Sequence, residues 1–337
     1  MFQIIQIFYI LTFKIWAKTV VILFFVLLVG TNFLVSVVID PYDDLNLFKE
    51  DFNKKKFRFS YNTTPFKLFN KLKKNRYDLV FGTSRTGRFN SSMVRGYMLN
   101  FSALYANPAD VYNVIVQLSE QQKKNIGTIY YLVDTHVFKD KTSLYEKLNL
   151  NSKLDYYKQV FFGLDMKKIE SAISCVKKNF SGSNQYVDEY GASIFENDPV
   201  FNPATVIEHY RIPSFTKDSI DYLKKIDIFC KTNNIKIKYF TPVYNIWYLR
   251  IANMDLYKKQ FKAFLSAIDG IYDFHLVDDI SYDYKNFSDS DHFNTDTSRK
   301  VMLSLQNEEN VTFVTKENID GVFNLINKKI EKARNAN

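Results

Sequence analysis

The chain has 337 residues, with 45 Lys and Arg against 36 Asp and Glu, and a formal net charge of +9. Apolar residues make up 46% of it and aromatics 17%, which supports a real core and excludes a disordered chain. Two cysteines exclude a disulfide-rich scaffold and a classical zinc finger, and the positive balance comes with no basic stripe on a recognised nucleic-acid-binding fold, so nucleic acid is set aside as a partner.

Residues 19–39 read TVVILFFVLLVGTNFLVSVVI, without a charge. At about 1.5 Å per residue this run reaches across roughly the 30 Å of a hydrocarbon core. Lys14 and Lys18 precede it, and Asp40, Asp43 and Asp44 follow it. The expectation is a single-pass helix in the cytoplasmic (inner) membrane. Residues 1–18 then form a cytoplasmic N-terminal segment, and the body is periplasmic or extracellular. A cleavable signal peptide is the rival reading. Its apolar stretch would be shorter and followed by a small-x-small site, which VVIDPYDD does not offer. Residues 1–13 are apolar but too short to span, and are expected to lie at the membrane surface. Residues 40–75 read as a Lys-rich juxtamembrane linker interrupted by Pro41 and Pro65, with one helix over 66–74. In it, Lys54-Lys55-Lys56 is most simply solvated surface, open to anionic headgroups or an acidic polymer.

A rhythm then begins. Residues 77–81, YDLVF, form a buried strand ending at Gly82. A short helix over 90–95 and a strand over 97–101 follow. Pro108 opens a helical stretch to Lys124, and 128–133 is a third strand. The rhythm resumes at Thr216, which caps a helix to Asn233. Strand 235–240, helix 254–267, a last strand 271–277 and helix 295–306 complete it. Strands alternating with helices predict an α/β fold with a mostly parallel sheet covered on both faces. Such sheets bind ligands outside the carboxyl ends of their strands. Between 137 and 214 the rhythm is lost in a long aromatic segment, too long for a loop, which reads as an inserted subdomain or lid. Its aromatics are mostly core, with a few tyrosines facing the cleft.

Gly82-Thr83-Ser84-Arg85 directly follows the first of these strands, which puts Ser84 at the carboxyl edge of the sheet with backbone N–H groups nearby. A serine there is a helix cap unless a base activates it. Ser288-Asp289-Ser290-Asp291-His292 lies after strand 271–277 and before helix 295–306, on the same edge. Asp289 and His292 stand three apart, so one turn sets the carboxylate on one ring nitrogen and leaves the other to take a proton from Ser84. Asp291 is a rival acid with poorer geometry, being adjacent to His292.

GTSR after a first strand, with a late DSDH before the final helix, resembles the SGNH/GDSL hydrolase superfamily. More narrowly, it resembles the membrane-anchored members that edit cell-surface polysaccharides, among them the alginate O-acetylation proteins and the D-alanyl-transfer protein of teichoic acid synthesis. The resemblance covers about 77–135 and 216–307. It implies a three-layer α/β/α sandwich with five parallel strands over 76–337, carrying the insertion at 137–214. It implies a Ser84–His292–Asp289 triad acting on acyl groups of a cell-surface glycan, as an esterase or O-acyltransferase without a cofactor, with envelope biosynthesis proteins as partners. The chain departs from the family at the oxyanion hole. The family's second-motif Gly is replaced by Asn100-Phe101-Ser102-Ala103, and its Gly-x-Asn-Asp by Val133-Asp134-Thr135-His136. Arg85, Asn100, Thr135 and His136 are the candidate oxyanion or substrate-binding residues in their place. The departure also supports the alternative of a catalytically degenerate glycan-binding or scaffold component of an envelope assembly.

His136 reads first as a structural residue, then as a substrate contact. A metal centre with Asp134 and His292 is the least favoured reading, given four His and two Cys in all. His209 and His275 read as structural. Cys175 and Cys230 would lie in an oxidising space, where a disulfide and two buried free thiols stand as equal readings.

Overall fold

The computed structural model describes residues 2–48, 50–56, 60, 63–94, 96–102, 107–134, 146, 148–162, 166–183, 185–199, 201, 216–246, 249, 253–275, 278–289 and 292–335. In chain order the elements are α1 (Phe2–Phe33), α2 (Thr64–Lys71), β1 (Tyr77–Phe81), β2 (Met98–Asn100), α3 (Pro108–Ile115), α4 (Glu120–Lys124), β3 (Ile126–Leu132), α5 (Lys153–Phe162), α6 (Met166–Phe180), β4 (Gln185–Val187) and β5 (Ser193–Phe195). They continue with α7 (Lys217–Thr232), β6 (Lys236–Phe240), α8 (Met254–Leu265), β7 (Ile271–Asp273), α9 (Asp278–Ser281), α10 (Thr295–Asn307), β8 (Thr312–Val314) and α11 (Ile319–Asn335). They fall into two units, residues 1–58 with 157–183, and residues 59–156 with 184–337.

The larger unit is built on one mixed sheet in the order β2-β1-β3-β6-β7-β8. The first five strands are parallel, and β8 pairs antiparallel with β7. The sheet therefore has six strands rather than five. Thr312–Val314 is a short edge strand, too brief to register as a periodic run. Alternate residues feed two cores. Leu79, Phe81, Ile129 and Tyr131 pack with Phe66 of α2, Val111 of α3, Leu223 of α7, Phe261 of α8 and Phe323 of α11. Val80, Tyr130, Leu132 and Phe240 pack with Val301, Met302 and Leu305 of α10. Period-2 alternation on a sheet buried on both faces explains this division.

Local signals set the helix starts. Thr216 Oγ1 accepts from Ser219 N and caps α7, and Asn107 caps α3 ahead of Pro108. The helix expected from Pro108 to Lys124 is two helices, because Ser119 and Gln122 form a capping box that restarts the chain at α4. The short helix expected over 90–95 is a single turn of 3₁₀ helix, Ser91–Met93.

In the smaller unit, α1 runs unbroken from Phe2 and continues as a π-helical turn, Leu34–Ile39. Residues 2–13 are thus part of one helix and not a separate surface segment. From Thr12 to Ile39 it is long and apolar enough to cross a membrane. Its end is built into folded structure. Asp40 takes a left-handed conformation (φ 44°), and its carboxylate accepts the N–H groups of Asp44, Leu45 and Asn46. Asn53 Nδ2 donates to the Val38 and Ile39 carbonyls, and Lys56 Nζ donates to the Asp40 carbonyl at 2.7 Å. These are the acceptors that a helix C-terminus leaves unfilled. Lys55 and Lys56 are accordingly half-buried and engaged, and only Lys54 of the triplet is exposed.

The expected 137–214 insertion is divided between the units. Residues 157–183 belong with α1, and 184–199, including the β4–β5 hairpin, belong with the sheet. Cys175 and Cys230 are both buried free thiols. Burial raises the Cys175 thiol pKa and pushes that of Cys230 up to about 12.

Candidate active site

β1 ends at Phe81, and the chain turns into a short 3₁₀ helix, Ser84–Thr86, capped by Thr83 Oγ1, which accepts from Arg85 N. Gly82 makes the turn possible, since a Cβ there would fall on Thr86 Oγ1. Thr83, Arg85 and Thr86 are buried, whereas Ser84 is exposed. A side chain projecting from an otherwise buried strand-to-helix turn is available to react.

Across the sheet edge, residues 287–289 come back against 292–293. Phe287 and Phe293 form an antiparallel bridge, and Ser288 N donates to the His292 carbonyl at 2.8 Å. Within this loop Asp289 accepts twice from His292. Its Oδ1 takes the backbone N–H at 2.7 Å, and Nδ1 lies 2.9 Å from both carboxylate oxygens. His292 Nε2 then lies 2.7 Å from Ser84 Oγ. With the carboxylate on Nδ1, that nitrogen carries the proton and Nε2 is left as an acceptor facing the hydroxyl.

Two supports hold this relay, and the sequence reading identified neither. Arg88 Nη1 donates to the Phe293 carbonyl at 2.7 Å, its Nε lies 3.0 Å from Asp198 Oδ1, and its guanidinium lies 4.1 Å from the Phe195 ring centroid. Burial lowers the Arg88 pKa, opposed by Asp198 and Asp289. Asp198 Oδ2 also accepts from Thr295 N at 2.7 Å, at the start of α10, where Asn294 caps the helix. The segment after the β4–β5 hairpin therefore clamps both the nucleophile loop and the histidine loop. The only sequence signals were a basic residue four after Ser84 and an acidic one in the irregular insertion.

The expected oxyanion residues are placed otherwise. Arg85 is buried and donates to Asp134, which also accepts from Thr83 Oγ1 at 3.0 Å. Its guanidinium braces β1 against the end of β3 and is withdrawn from the exposed face of Ser84. Asn100 is fully buried. Its amide donates to the Thr86 and Phe89 carbonyls at 2.7 and 2.8 Å, and its carbonyl accepts from Ser102 N. A committed amide cannot also meet a substrate oxygen, so Asn100 shapes the Ser84 loop from beneath. Thr135, His136, His209 and Asp291 lie outside the described residues. Among the described residues, the Ser84 N–H has no acceptor, which leaves it as the available backbone donor at the site.

His275 is buried and bonds Asp273 through Nδ1, among Tyr244 and Tyr257. This is a core arrangement, as the sequence reading expected. Among the described residues, no cluster of three or more His, Cys, Asp or Glu is placed to hold a metal ion. Compared with protein-family models, with curated proteins and with solved structures, the chain matches none.

Proposed function

We propose that this is a membrane-anchored, exported serine esterase or O-acyltransferase of the SGNH type, acting on acyl groups of a cell-surface glycan. The observation that carries the reading is the unbroken relay from the exposed Ser84 hydroxyl through His292 to Asp289. Five parallel strands, with the serine after β1 and the Asp-x-x-His after β7, accord with that superfamily. An uncharged apolar run over residues 19–39, with Lys14 and Lys18 before it and Asp40, Asp43 and Asp44 after it, accords with an exported body.

In this reading Ser84 Oγ attacks the ester carbonyl while His292 Nε2 takes its proton. The tetrahedral oxyanion is met by the Ser84 N–H. His292 returns the proton to the leaving alkoxide, which departs as an alcohol and leaves an acyl-Ser84 ester. Water or a sugar hydroxyl then attacks the acyl group as His292 takes its proton, and His292 hands that proton to Ser84 Oγ as the acid or new ester departs, which restores the free serine. Asp289 holds the imidazole in the required tautomer throughout. The 2.7 Å contact between Ser84 and His292 disfavours the degenerate, purely binding alternative, for which nothing would keep a nucleophile and base in register.

The test is release of acid from short-chain aryl esters and from acetylated glycans by the full chain and by Ser84→Ala. Loss of all turnover in the variant, with its fold intact, supports the assignment. Equal turnover by the variant refutes the triad.

A further inference from the structure

We infer that α5 and α6 form a second membrane-contacting element, with Phe162 and Met166 seated in lipid beside the C-terminal end of α1. This rests on α1 crossing the bilayer.

α6 has two unlike faces. Ser171, Ala172 and Cys175 are buried. Ser171 Oγ accepts from the Tyr42 hydroxyl at 3.0 Å, and Asn179 Nδ2 reaches the Phe52 and Lys55 carbonyls. These contacts turn the small, polar face of α6 toward the segment leaving α1. Met166, Ile173 and Phe180 are 68%, 63% and 71% exposed. Spaced seven apart, they share one side of the helix, opposite the packed one. Phe162, at the end of α5, is 86% exposed. An aqueous surface has no use for such a stripe.

The position of this stripe identifies what covers it. Asn32 lies inside the apolar run of α1, and its side-chain amide donates to the Phe161 carbonyl. The end of α5 therefore sits at the level of the last turns of α1, where Phe33 and Leu34 are themselves 57% and 50% exposed. If lipid surrounds α1 there, it meets Phe162 and Met166 too. The exposed Lys158, Lys167 and Lys177 flank the stripe, the composition of a helix lying at a headgroup boundary, with cations for anionic lipid. Lys168 does not join them, since it is buried and caps α5 through the Val160 carbonyl at 2.6 Å.

The experiment uses the full chain in nanodiscs of phosphatidylcholine and phosphatidylglycerol carrying brominated acyl chains, on a background in which both tryptophans are removed, Trp16→Phe with Trp247→Phe. Val26→Trp reports the span, and Phe162→Trp reports the inferred contact. The expected result is quenching of Val26→Trp most strongly by bromines near the chain ends. Phe162→Trp emission should fall by roughly half with bromines near the headgroup. Quenching at Val26 without quenching at Phe162 overturns the inference and leaves the anchor standing. A blue-shifted but unquenched Phe162→Trp also overturns it, in favour of a protein partner. Absence of quenching at Val26 shows that α1 does not span, and then the premise fails rather than the local geometry.

Discussion

Arg88 Nη1 and the Phe293 carbonyl oxygen are 2.7 Å apart, and through this bond the loop that carries Ser84 is tied to the loop that carries His292. Arg88 touches neither the hydroxyl nor the imidazole, so it is a positioning residue. Arg88→Ala should lower kcat by about 10²-fold, the usual cost of misplacing a catalytic group by an ångström, with KM for a small ester nearly unchanged. Arg88→Lys should recover only part of the loss, because an ammonium cannot reproduce the fork to Phe293 and Asp198. A merely structural role would move the unfolding midpoint without that split between kcat and KM.

Asp289 is more than half exposed, with 55% of its side-chain surface accessible, whereas a triad acid is usually buried. Asp289→Asn keeps the shape and one acceptor but offers the wrong tautomer to Nδ1. In a buried triad that change costs about 10⁴ in kcat. Solvent screening here should reduce the cost to roughly 10²–10³. Steady-state kinetics on a chromogenic ester provide the check, and a loss of less than about three-fold would remove Asp289 from the relay.

Asn100 separates two roles cleanly. Its place at the end of β2 suggests an oxyanion donor, whereas in the structure its side chain is engaged by the Thr86, Phe89 and Ser102 backbone beside the Ser84 loop. Asn100→Ala should therefore destabilise the fold by about 2–3 kcal/mol, leaving buried carbonyls unsatisfied. Denaturant unfolding monitors this. An unchanged midpoint with a 10²–10³-fold fall in kcat would instead restore the oxyanion role.

Ser84, Asp289 and His292 were legible because each sits beside a strand or helix whose pattern is strong, so their edge of the sheet followed from topology. The end of β1 and the Thr216 cap were legible for the same local reason. Arg85 and Asp134 were both placed at that edge, yet nothing local reveals that two residues 49 apart pair with each other. Arg88 and Asp198 were invisible because their bonds cross between a loop and an insertion without periodicity. β8 was missed because an edge strand of three residues carries almost no pattern. Residues 157–183 are tied to α1 and the segment leaving it by side chains such as Asn32 and Tyr42, which no composition shift announces.

The two thiols should be inert in the native protein. Burial raises both pKa values, that of Cys230 to about 12. For Cys230 the thiolate fraction at pH 8 is then depressed about 10³-fold relative to a free cysteine. Native protein should react with a disulfide reagent only at the rate of unfolding. In denaturant, two equivalents should react at once. One or no equivalent after unfolding would mean that the cysteines are bonded.

Glu308 supplies a pH signature for the start of β6. Lys238, whose side chain is 3% exposed, lies 2.8 Å from the Glu308 carboxylate and reaches the Leu305 carbonyl. Hydrogen bonds, from Lys238 first and Lys236 after burial's opposing effect, hold the Glu308 pKa down to about 2. The folded value is below the unfolded one, so the folded state binds fewer protons in the window between them. Stability from this pair is fully present above the ordinary glutamate range and is lost as pH falls toward 2. Glu308 is 47% exposed, so solvent screening limits the effect to about 1 kcal/mol. Glu308→Gln should therefore unfold at a lower urea concentration than the parent at pH 7. The gap should narrow below pH 4.5 and nearly vanish near pH 2. A gap that stays constant across that range would show that shape rather than charge fixes Lys238.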